Sequence, residues 1–83
     1  MEDCIFFEVD KDPYVDQVNP EKHTVSFGTD EEGNGIWRRI GVFSITSPGI
    51  EEKYLYVSEH AEPPSKESIK AAINALKPKP YTK

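Results

Sequence analysis

Asp30, Glu32 and Asn34 stand at alternate positions in the stretch GTDEEGNG, with Gly35 directly after them. That is the first half of a calcium loop, in which oxygen ligands at the first, third and fifth places wrap the cation and a glycine at the sixth makes the turn. The twelfth place, where such loops carry a bidentate glutamate, is Gly41 here, and no helix pattern flanks the run. The stretch therefore reads as an exposed acidic turn headed by Asp30, Glu31 and Glu32, and no metal is expected. Nucleophilic chemistry needs a base beside the nucleophile. His23 and His60 fall in different segments, and neither has a serine or cysteine at a spacing that marks such a pair. The single cysteine, Cys4, sits among Ile5, Phe6 and Phe7, and apolar surroundings raise a thiol's pKa and leave it inert. Carboxylates are plentiful, but acid–base work needs one held in a cleft. Neither a phosphate-cradling glycine loop nor a dinucleotide fingerprint is present. No catalytic residue and no cofactor are expected.

Binding chemistry is better represented. Trp37, Arg39, Phe43, Tyr54 and Tyr56 fall on one face if residues 36–58 form a hairpin, with Glu52 at its rim. Trp, Tyr and Arg carry much of the binding energy at protein interfaces. Rings beside an arginine also stack on the bases of single-stranded nucleic acid, and aromatic residues on a small sheet are commonly core. The formal net charge of −5 would repel a phosphate backbone, which ranks nucleic acid below a protein partner.

The elements that must position these residues follow from turn chemistry and periodicity. Ser47-Pro48-Gly49-Ile50 suits a tight turn, because proline presets φ and glycine accepts a positive φ. A fold-back there sets Val42 opposite Leu55, Ile40 opposite Val57, Phe43 opposite Tyr54 and Gly41 opposite Tyr56. A three-residue loop would exchange the partners. A tyrosine across a strand glycine is itself a stabilising pair. Upstream, Cys4–Val9 reads as an internal strand. Tyr14–Val18 and His23–Phe27 read as a hairpin around Asn19-Pro20-Glu21-Lys22, and 28–35 as a loop. Pro63 and Pro64 hold a linker extended. Ser65 then caps a helix whose Ile69, Ala72, Ile73 and Leu76 recur at one-stripe spacing, and Pro78 ends it.

The expected fold is thus α+β, a small antiparallel meander of four or five strands with one C-terminal helix packed on one face. Its domain is 1–77, followed by a flexible Lys/Pro tail, 78–83. The helix stripe matches small aliphatics in shape, so it is expected on the Ile40, Val42, Leu55 and Val57 face. That would leave the aromatic face open.

Charge is divided along the chain. Residues 1–62 hold 14 acidic against 5 basic side chains, a net of −9, and residues 63–83 hold 5 lysines against Glu67, a net of +4. Such polarity argues against a general nucleic-acid binder and permits an acidic surface that meets a basic partner. One cysteine allows no internal disulfide. No apolar run approaches the ~20 residues of a membrane span, and MEDCIFFEVD lacks a signal peptide's basic start. A cytoplasmic protein is expected. Its expected function is a non-enzymatic binding module that inhibits or regulates a larger protein by occluding a surface. The alternatives are a homodimeric assembly protein and a small RNA- or single-strand-binding domain. No family is recognised. Short acidic chains without a catalytic constellation are of a kind with viral and phage accessory proteins, in which case the compartment would be the host cytoplasm.

Overall fold

The computed structural model describes residues 1–81. Its longest hairpin turns at Pro48 and Gly49, with Gly49 at φ 79°, a backbone state that costs glycine nothing. The strands it joins are β5 (Gly41–Ser47) and β6 (Ile50–Ser58). Their register sets Gly41 opposite Tyr56, Val42 opposite Leu55 and Phe43 opposite Tyr54, as the turn chemistry predicts. The Tyr56 ring lies across Gly41, where an added Cβ would come within 2.6 Å of it.

Four more strands precede this hairpin: β1 (Glu2–Phe7), β2 (Tyr14–Val18), β3 (Thr24–Thr29) and β4 (Gly35–Arg39). A single helix, α1 (Lys66–Leu76), follows it. The strands form a four-stranded sheet in the order β2-β1-β6-β5 and a separate two-stranded sheet, β3-β4. β1 is internal, as expected. The fold class holds: six mostly antiparallel strands and one C-terminal helix make a small α+β fold. The exception to the antiparallel pattern is β1 with β6, which run parallel, with Cys4 opposite Leu55 and Phe6 opposite Val57.

Two expected pairings are corrected. β2 does not form a hairpin with the segment after Asn19. It pairs with β1 instead, Phe6 opposite Tyr14 and Glu2 opposite Val18. Asn19 caps a 3-10 turn, Pro20–Lys22, its side-chain oxygen accepting the Glu21 N–H at 3.0 Å. His23 then takes a left-handed φ of 62°, which swings the chain off the sheet and sends β3 to β4. Nor is 36–46 one continuous strand. It breaks at Ile40, whose N–H donates to the His23 carbonyl at 2.8 Å, and the chain changes sheets there.

The four-stranded sheet is covered on both sides. On one, Ile5, Phe7 and Tyr54 pack under Ile69, Ala72 and Ile73 of α1, with Val15, Phe43, Ile45 and Tyr56 around them. On the other, Cys4, Phe6, Val18, Leu55 and Val57 meet Val25, Phe27, Ile40 and Tyr81. The helix therefore sits on the aromatic face, not on the aliphatic one expected for it. The aliphatic side is already occupied: β4 leads into β5 through Ile40, which places the β3–β4 hairpin over Leu55 and Val57.

Ser65 starts α1, its hydroxyl accepting the Ser68 N–H at 3.1 Å. Lys77 ends it at φ 49°. Leu76, expected in the core, is 36% exposed and stands outside the cluster that Ile69, Ala72 and Ile73 join. Residues 78–81, expected to hang free, are anchored. Pro78 is buried, the Lys79 N–H donates to the Asp3 carboxylate at 2.9 Å, and the Tyr81 N–H donates to the Lys53 carbonyl at 2.6 Å. The rest of that expected tail, Thr82 and Lys83, lies outside the described residues. Among the described residues no helix is long and apolar enough to cross a membrane.

Candidate interaction surface

The β3–β4 hairpin packs one face on the core and presents the other to solvent. Ser26 pairs with Trp37 and Thr24 with Arg39, so these four share the outer face, and all four are exposed. Trp37 is 61% exposed. Its indole lies along its own strand over Gly35, where a Cβ would meet Nε1 at 2.7 Å. A glycine two positions back thus provides a flat seat for the ring. Arg38 points the other way, its Nε donating to the Glu59 carbonyl at 3.0 Å, which ties β4 to the end of β6.

The turn of this hairpin is the acidic stretch. Asp30 organises it, with one carboxylate oxygen accepting the N–H groups of Glu32 and Asn34, both at 2.9 Å. The Asp30 N–H donates to the Asn34 carbonyl at 2.8 Å, and the Gly33 N–H to the Asp30 carbonyl at 3.1 Å. This is an Asx-type turn, with Gly33 at φ 85°. The Asp30 oxygen is spent on the backbone, so the alternating acids form a turn where the spacing suggested half a cation loop. Among the described residues no three metal-ligating side chains converge.

Of the eight residues singled out from the sequence, five therefore come together on one hairpin: Trp37 and Arg39 on its outer face, Asp30, Glu31 and Glu32 at its tip. The other three do not join them. Tyr54 is 8% exposed beneath α1, and Phe43 and Tyr56 are partly buried beside it. The break at Ile40 separates the two groups, since the odd-numbered residues of β4 and β5 no longer share a face. A signal for this was present in Gly41, because a glycine within a strand pattern often marks a corner.

Several titratable groups are perturbed by their packing. Burial, with Asp16 nearby, pushes the Cys4 thiol up to about 12, a state in which it is no nucleophile. The Tyr14 hydroxyl donates to Glu8, and that bond, with burial, pushes it up to about 12. Tyr54 donates to Glu52 at 2.8 Å and is raised for the same reasons. A shallow open cleft lies among Phe7, Glu8, Lys11, Ser58, His60 and Ser68. The Ser58 hydroxyl there accepts the backbone N–H of His60 at 3.2 Å, which is a turn contact and not a nucleophile–base pair. Compared with protein-family models, curated proteins and solved structures, the chain matches none.

Proposed function

We propose that this protein is a small acidic binding module, without catalytic activity, that regulates or inhibits a larger protein by covering part of its surface. The contact is the outer face of the β3–β4 hairpin, with Trp37 as its anchor, Arg39 beside it and the acids of the Asp30 turn facing a basic patch on the partner. One observation supports this above the rest. The only tryptophan of the chain is 61% exposed on a strand whose opposite face holds the core, while the other aromatic candidates are packed under the helix. An exposed tryptophan next to an arginine is the composition of an interface hot spot, and the acidic tip steers a basic partner toward it. We place the protein in the cytoplasm, on the strength of its lone, buried cysteine.

The test is affinity capture with the 83-residue chain from cytosolic extract, run in parallel with Trp37→Ala, Arg39→Glu and, as a surface control, Lys70→Ala on the exposed side of α1. A protein retained by wild type and by the control but lost by the two hairpin variants is expected. Titrating that protein should move the emission of Trp37 to shorter wavelength as its indole is desolvated. Retention unchanged by both hairpin variants would overturn the assignment.

A further inference from the structure

The four-stranded sheet ends in two free edges of different character. β2 is the guarded one, with five residues, Asp16 at its centre, Pro13 before it and Pro20 after it. Charges and prolines of this kind keep an edge from pairing with other chains. β5 carries no charge along its seven residues, Gly41–Ser47. The proline that follows it, Pro48, lies in the two-residue turn to β6 and not along the edge. The strand lies in a longer uncharged run from Ile40 to Ile50, in a chain with 25 charged residues (10 basic and 15 acidic).

The backbone of this edge is set by the turn. Ser47 and Ile50 flank a two-residue loop and so form a hydrogen-bonded pair, and alternation from there turns Gly41, Phe43 and Ile45 toward β6. The N–H and C=O groups of Val42, Ser44 and Thr46 point outward. All three residues are exposed, and Val42 is 52% exposed despite its size.

We propose that β5 pairs antiparallel with β5 of a second copy of this chain, about a two-fold axis passing between the two Ser44 residues. Val42 then lies opposite Thr46 of the second copy, and Ser44 opposite Ser44. Three such pairs, each exchanging two bonds, give about six new main-chain hydrogen bonds. Phe43 falls beside Ile45 of the second copy, and these are the partly buried residues at the rim of the helix-side cluster. The strand is therefore self-complementary in both bonding and side chains, as an isologous contact requires. Charge does not oppose it. The nearest charges are on β6, where Lys53 pairs with Ser44. In the joined sheet the two Lys53 residues stand three strand spacings apart, about 14 Å, beyond a Debye length of ~8 Å. The joined sheet ends on β2 at both sides, so its only edges are the guarded ones and assembly stops at two. The Trp37 face lies on the other sheet and takes no part.

The 83-residue chain should sediment at twice its mass when raised to ~100 μM, a concentration suited to an interface of the small size class. Ser44→Lys sets two ammonium groups against each other at the axis and should weaken the dimer about tenfold or more. Ser44→Pro removes an outward N–H, spares the ladder to β6, and should do the same. Circular dichroism should be unchanged by Ser44→Lys, whose site is exposed, so that variant decides the matter if Ser44→Pro fails to fold. Asp16→Ala and Trp37→Ala should leave the dimer intact. Register is read by cysteine cross-linking, since residue 44 alone meets its own copy, at a Cα separation of about 5.5 Å that a disulfide can span. Ser44→Cys should cross-link in air, and Val42→Cys and Thr46→Cys should not. Four outcomes would each overturn the proposal: a chain that stays monomeric at every concentration, leaving the edge to a foreign strand; a dimer indifferent to Ser44→Lys; a dimer abolished by Trp37→Ala; or a dimer in which Ser44→Cys stays reduced.

Discussion

The two sides of the four-stranded sheet are closed by different means. The helix side is covered by one element, and that element brings only two large side chains, Ile69 and Ile73, with Ala72 between them. The hairpin side is covered piecemeal, by Val25 and Phe27 from β3, Ile40 from the sheet crossing and Tyr81 from the C-terminal strap. A cover that is a single element concentrates its energy in a few contacts and is lost as a unit. A cover assembled from distant segments spreads the same burden, and no one contact should dominate it. The aromatic residues suit the first arrangement. Large rings on the sheet, at Tyr54, Tyr56 and Phe43, reach up to a helix whose own stripe is narrow.

Alkali tests both sides together and should produce the largest effect. Cys4 and Tyr14 are on the hairpin side and Tyr54 on the helix side. Cys4 is pushed up from an ordinary 9.0 to about 12, and Tyr14 from an ordinary 10.0 to about 12. A group whose pKa is raised on folding stabilises fully below its unfolded value, and that contribution is lost as pH rises through the folded value. Urea midpoints should therefore hold to about pH 9 and fall steadily toward pH 12. Cys4→Ala with Tyr14→Phe should flatten that fall more than Tyr54→Phe does. An equal or greater effect of Tyr54→Phe would reverse the ranking of the two sides.

Truncations come next. Tyr54→Ala should cost about 3–4 kcal/mol and Ile73→Ala about 2–4 kcal/mol, as large-to-small changes in a core do. A domain of this size is stable by only a few kcal/mol in all, so either variant should be largely unfolded at 37 °C by circular dichroism. This inverts the expectation from sequence, which leaves Tyr54 on the open face. On the hairpin side Phe27→Ala, which also loses an edge-on contact with Phe6 at 6.1 Å between centroids, should cost about 2 kcal/mol, since the ring is only partly buried. A larger loss for Phe27→Ala than for Ile73→Ala would show that the distributed cover has a keystone after all. The smallest change is Leu76→Ala, at the exposed end of the helix stripe, expected below ~1 kcal/mol in denaturant melts.

What could be read from sequence was local. The β5–β6 register, the Tyr56–Gly41 pair, the Ser65 cap and the Ile69–Ala72–Ile73 stripe all depend on residues a few positions apart, and all are found. Pairings decided at long range were not legible. Nothing near β1 in the chain says that it lies parallel to a strand some fifty positions later, and nothing near β2 says that it turns back onto β1. The helix lies on the other face from the one expected because the competing cover, β3–β4, reaches the aliphatic face through the change of sheets at Ile40, which alternation along one strand does not encode. The candidate surface divided along the same line. Trp37 and Arg39 stay outside because alternation within β4 is local, and Phe43, Tyr54 and Tyr56 go inside because their strand belongs to the other sheet.

The parallel pairing of β1 with β6 also has a consequence in time. A ribosome delivers Cys4, Ile5, Phe6 and Phe7 well before their partner, which begins at Leu55, 51 positions later. At 5–20 residues per second the wait is roughly 3–10 s, during which a short apolar segment has no sheet to enter. Hairpins such as β5–β6 close in microseconds once made, whereas joining strands so far apart costs loop-closure entropy and is slow. Cys4 keeps time for that step, since its thiol is open to alkylation in the unfolded chain and 0% exposed in the finished one. A pulse of alkylating reagent during refolding should find Cys4 reactive well after Trp37 fluorescence has reported the β3–β4 turn, and its protection should mark the moment at which β1 takes its place inside the sheet.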